Sequence, residues 1–181
     1  MWQSLLSATY VAAAQDSKPF PEVYSAVAMG TGGSVGGKTK QFDVRITSYT
    51  TDEEVQKFAQ LVKDKGTEAL RSALEKEDKR RVLPVGSMGN QIAVARKRMH
   101  GTDTIITIVT ARIMPFTELY NNGRSTDYPF GYIQLKLNAR GEGTGKIMAA
   151  AKIKFDKKKE QYEIESYGNQ YIKAVNVRTS K

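Results

Sequence analysis

The stretch from Gly30 to Tyr49 constrains the chain most, because its two readings lead to different fold classes. Gly32 to Thr39 satisfies the phosphate-loop pattern G-x-x-x-x-G-K-[ST], with Gly32, Gly37, Lys38 and Thr39 at the defining positions. A working phosphate loop needs a strand before the glycines and a helix after them, so that backbone N–H groups and the helix dipole converge on the phosphates. The upstream half fits, since Tyr24 to Met29 reads as a strand. Downstream, Phe42, Val44 and Ile46 alternate with Gln41, Asp43, Arg45 and Thr47. That period of two marks a half-buried strand, not a helix. The expectation is therefore a glycine-rich hairpin loop between antiparallel strands, in which glycine supplies the positive φ angles that a tight turn needs. Nor does the most apolar strand, Thr104 to Ala111, end in the acid that a nucleoside triphosphatase would use for Mg²⁺; it is followed by Arg112. A phosphate-loop nucleotide-binding enzyme using Lys38 and Thr39 stands as the alternative. ATP affinity in wild type and in Lys38→Ala separates the two.

Beyond the loop, Thr51 and Glu54 form the frame of a capping box, with Asp52 and Glu53 in the first helical turn. Val55, Phe58, Ala59 and Val62 then recur at helical spacing, and Gly66 reads as the stop. Thr67 is expected to cap a second helix with Leu70, Ala73 and Leu74 on its apolar stripe. The rest reads as β: Val82 to Val85, placed at a sheet edge by Pro84; Asn90 to Met99; and Thr104 to Met114, apolar on both faces. A meander from Ile133 to Val177 follows, turning at Asn138–Gly141, Asp156–Glu160 and Gly168–Asn169. Turns about every ten residues predict an α+β domain: an antiparallel β-rich sheet, curled or closed into a barrel, with a helix pair inserted after the second strand. The helices are expected over one face or one open end. Residues 1–21 read as a signal-peptide remnant or N-terminal linker, with small residues Ala12 to Ala14 as at a signal-peptidase site, and 22–181 as one domain.

Length and composition fit a single globular domain of 181 residues, 40% hydrophobic, without cysteine. Thiolate catalysis, disulfides and Cys-ligated metals are thereby excluded. No apolar run is long enough for a membrane-spanning helix. The formal net charge of +9 favours anionic partners. The lone histidine, His100, sits in a turn near Asp103, poor material for a metal site or an acid–base centre, and no cofactor is expected. Three basic clusters, Lys79–Arg81, Arg96–Arg98 and Lys157–Lys159, would serve nucleic acid only if they shared a face; nucleic-acid binding is a second alternative.

The candidate site is the long polar loop from Pro115 to Phe130, which carries Tyr120, Asn121, Asn122, Arg124, Asp127 and Tyr128. Loops of this length in compact domains often carry function. Arg124 is the expected donor to an anion, with Tyr120 and Tyr128 as walls. The competing reading is that the loop plugs one end of the barrel.

Two segments, Ser48 to Val55 and Tyr120 to Gly131, together resemble a group of uncharacterised exported bacterial proteins, over roughly residues 24 to 178. The resemblance implies export, to the periplasm or beyond, and a single domain; it implies no activity. The expectation is thus a soluble, non-catalytic domain that binds a polar or anionic ligand or an envelope partner.

Overall fold

The computed structural model describes residues 20–116, 119, 126–169 and 171–180. Among the described residues, nine antiparallel strands run in chain order: β1 (Glu22–Met29), β2 (Thr39–Ile46), β3 (Arg80–Pro84), β4 (Asn90–His100), β5 (Asp103–Thr110), β6 (Phe130–Leu137), β7 (Glu142–Asp156), β8 (Gln161–Ser166) and β9 (Ile172–Ser180). Two helices, α1 (Asp52–Lys65) and α2 (Thr67–Leu74), stand between β2 and β3. Eight of the strands close a barrel, because β1 pairs with β9 and β6 pairs with β7. Strand β8 is the extra one. The first half of the fifteen-residue β7 pairs with β9, and its second half, from Ala151 to Asp156, pairs with β8.

Period two in sequence becomes inside and outside in the barrel. Along β1 the burial alternates without a break, and Tyr24, Ala26 and Ala28 point inward. Phe42, Val44 and Ile46 do the same from β2, and Ile133, Leu135 and Leu137 from β6. The interior is packed with apolar side chains while Arg45, Arg81, Lys146 and Lys173 stand exposed on the outer face, opposite to the pattern of a barrel that spans a bilayer. Phe116 and Leu119, from the segment after β5, are buried in the same core, and the Phe116 ring meets Phe42 edge-on at 5.4 Å. This part of the long loop therefore acts as a plug.

A second apolar cluster lies outside the barrel. Phe58 and Val62 of α1 and Leu70 and Leu74 of α2 pack on Ala93, Val109, Phe130, Tyr132 and Ala151. That explains why β5 is apolar on both faces: Ile106 and Ile108 fill the barrel, while Val109 lies under the helices. The helix pair thus covers the outer face of β4 to β7, not an open end. Thr51 accepts from the Glu54 N–H and the Glu54 side chain reaches back, as the capping box requires.

Two expectations need correction. Pro84 does not mark an edge, since β3 lies between β2 and β4. It is tolerated because β4 pairs only with Arg81 and Val82, so no ladder bond on that side asks for its missing N–H. Thr67 does not cap α2; Gly66 occupies the cap position, and the Thr67 hydroxyl donates to the Ile153 carbonyl at 3.0 Å, tying the helix to β7.

Candidate functional site

The Gly-rich loop is a hairpin. Gly30 N–H donates to Lys38 O at 2.9 Å, a single 3₁₀ turn spans Gly33–Val35, and Thr39 begins strand β2 opposite Met29. No helix follows Thr39, so Gly32, Gly37, Lys38 and Thr39 lack the convergent dipole and amides of a phosphate loop.

Of the predicted loop residues, Tyr120, Asn121, Asn122 and Arg124 lie outside the described residues. Asp127 is exposed. Tyr128 is half-buried; its ring meets that of Tyr167 at 5.2 Å, and Lys152 Nζ lies 5.9 Å from its centroid. His100 ends β4 opposite Asp103, whose carboxylate instead pairs with Lys136 at 3.1 Å. Among the described residues, no three His, Asp or Glu side chains converge as metal ligands would.

The basic clusters do not share a face. Arg96 donates to the Thr50 carbonyl at 2.7 Å and pairs with Asp52, fastening the segment that enters α1. Lys97 turns inward to Glu22, Lys79 binds Glu54 at 2.9 Å, and Lys159 binds Glu163 at 2.8 Å. These cations serve the fold.

One buried polar group was not anticipated. Glu22 is 5% exposed and faces into the barrel mouth. Its carboxylate accepts from the hydroxyls of Tyr24 and Tyr49, the latter at 2.6 Å, and from Lys97 Nζ at 3.1 Å. Burial alone would raise its pKa; the hydrogen bonds from Tyr24, Tyr49 and Lys97 outweigh burial and hold it below the ordinary value. Burial and the adjacent carboxylate push both tyrosines well above theirs. All three move away from neutral pH, whereas a general acid or base needs a pKa near it. The cluster reads as a lock on the β2–α1 connection. An acid in phase with the buried residues of β1 was the signal available in sequence.

The surface that stands out is the wall formed by β9, β1, β2 and β3 and bordered by β7, which among the described residues carries no helix. Its outward residues include two cation pairs directly opposite each other on neighbouring strands: Arg45 with Arg81, and Lys146 with Lys173. Arg178 also faces out, in register with Glu142 and Ser25. Asp43 accepts from Ser25 Oγ at 2.8 Å and lies 3.9 Å from Arg45; Glu142 lies 3.7 Å from Arg140. Lys146 Nζ sits 4.9 Å over the Tyr171 ring. Like charges directly opposite in a sheet are destabilising. Beside the wall, a cleft of about 390 Å³ lined by Leu74, Glu75, Arg81, Asn90, Gln91 and Arg112 is mixed in charge. Its amides are occupied, Gln91 donating to Glu77 O at 2.6 Å and Asn90 to Ile113 O at 2.9 Å. No family model, curated protein or solved structure matches the chain.

Proposed function

We propose that this barrel is a non-catalytic binding module whose partner is anionic and meets the helix-free wall. The observation that carries the reading is that strand register sets cations opposite each other twice, Arg45 with Arg81 and Lys146 with Lys173. Each costs the isolated fold a few tenths of a kcal/mol, and an anionic partner turns that cost into attraction. A sulfated polysaccharide such as heparin serves as the probe. It raises the melting temperature of the wild type. Lys173→Glu is itself more stable by about 0.5 kcal/mol, roughly 1–2 °C, and responds less to heparin. A melting temperature indifferent to heparin in the wild type would remove the proposal.

Its setting, on the likeness to exported proteins, is outside the cytoplasm. Fractionation of cells expressing the full reading frame places it in the periplasm or medium; recovery in the cytoplasm alone contradicts this.

A further inference from the structure

The two most exposed large apolar side chains among the described residues are neighbours in one turn: Met88 at 87% and Val85 at 64%. They sit on the β3–β4 hairpin beside the basic wall. The turn is well ordered by its own bonds. Ser87 N–H donates to Pro84 O at 3.0 Å, Gly89 N–H donates to Ser87 Oγ at 3.0 Å, and Val85 N–H is tied to β2 through Gln41 O at 2.9 Å. Gly86 and Gly89 hold positive φ angles of 78° and 71°, and a Cβ on Gly89 would stand 2.1 Å from the Val82 carbonyl oxygen. The tip is therefore held out in one conformation. It is also joined to the wall: Arg81, one member of the Arg45–Arg81 pair, donates from Nη1 to Met88 O at 3.3 Å. Arg112 lines the same cleft as Arg81 and Gly89. The acids of that cleft lie on its helix side, where Glu75 is held by Arg71 at 3.3 Å and Glu77 follows α2.

Resting on the anionic-partner reading, we infer that the partner is an anionic phospholipid bilayer, on which the wall lies with Val85 and Met88 entering the interface. A protruding aliphatic tip beside clustered cations matches the two phases such a surface offers, hydrocarbon beneath and negative headgroups above. A polyanion without hydrocarbon has no use for Val85 and Met88. Single-stranded nucleic acid asks for exposed aromatic faces, and the exposed aromatics on or next to this wall are engaged, Tyr171 with Lys146 over its ring and Phe20 with the Tyr49 ring at 5.8 Å.

The test is co-sedimentation of the full chain with vesicles of phosphatidylcholine alone, or with about one third phosphatidylglycerol, alongside heparin and an oligothymidylate. The wild type sediments with the anionic vesicles and not with the neutral ones. Val85→Ser combined with Met88→Ser, which changes no charge and touches no core residue, weakens vesicle binding about tenfold or more and leaves heparin binding unchanged. Lys146→Glu combined with Lys173→Glu weakens both. Heparin binding without vesicle binding, or oligothymidylate bound in preference to vesicles, overturns the bilayer inference and leaves the anionic reading standing. Binding to neither heparin nor vesicles overturns both. Vesicle binding by the double serine variant equal to wild type removes the tip from the interface.

Discussion

Glu22 holds two tyrosine hydroxyls and a lysine at one point of the barrel mouth, and Tyr49 brings with it the segment that leads into α1. Glu22→Gln keeps the shape but loses the charge that Lys97 answers. Because Lys97 is about a quarter exposed, water recovers part of the loss, and the expected cost is about 2 kcal/mol, or roughly 4–8 °C in melting temperature. The pH dependence carries a sign. The Glu22 carboxyl lies below its ordinary 4.5 in the fold, so its contribution is present above that value and is lost as pH falls through the folded pKa. Wild-type melting temperature should therefore drop on acidification below about pH 4.5 more steeply than that of Glu22→Gln; parallel curves would show the carboxylate to be incidental. Sequence made Tyr24 readable as part of a strand. It did not reveal the cluster, because Tyr49 meets Glu22 through the β1–β2 register that sets Glu22 opposite Ile46, and Lys97 reaches it from β4 across the curled sheet.

Closure itself rests on small residues where strands approach each other. A Cβ on Gly143 would lie 1.8 Å from Lys136 O, and on Gly145 2.5 Å from Gln134 O, so β6 and β7 pair as they do only without side chains there. Gly32 has nothing within 4 Å. Gly143→Ala is expected to destabilise by about 3 kcal/mol or to abolish folding, while Gly32→Ala stays within about 0.5 kcal/mol; chemical denaturation of both variants checks the contrast. A large effect at Gly32 would mean that the Gly-rich loop has a role the hairpin does not explain. At this scale much was legible. The capping box, the helix pair, the meander turns and the strand after Lys40 follow from local spacing alone. Pro84 misled because its edge preference is a rule about ladder bonds, and β4 makes too few of them near it to enforce the rule. That the helices lie on the outer face of β4 to β7 was open in sequence, because an apolar stripe says that a helix packs but not on what.

At the scale of the whole molecule, the helices divide the outer surface. One side, on β4 to β7, carries the apolar patch that lies under the helices. The other is basic and, among the described residues, carries no helix, and its cations come one or two at a time from β2, β3, β7 and β9. Runs such as Arg96–Arg98 and Lys157–Lys159 stand out in sequence because they are contiguous, yet three of their six charges, Arg96, Lys97 and Lys159, are spent on partners within the fold. Arg45, Lys146 and Lys173 stand singly in alternating strands, and only strand register brings Arg45 against Arg81 and Lys146 against Lys173. The most direct test is heparin affinity as a function of salt for the wild type, for Lys146→Glu with Lys173→Glu, and for Lys157→Glu with Lys158→Glu as a control at the β7–β8 turn. The wall predicts affinity that falls steeply with salt, a loss of about tenfold or more at low salt in the first variant with a shallower salt slope, and little change in the second. Equal losses in the two variants, reporting net charge alone, would contradict a partner-specific wall.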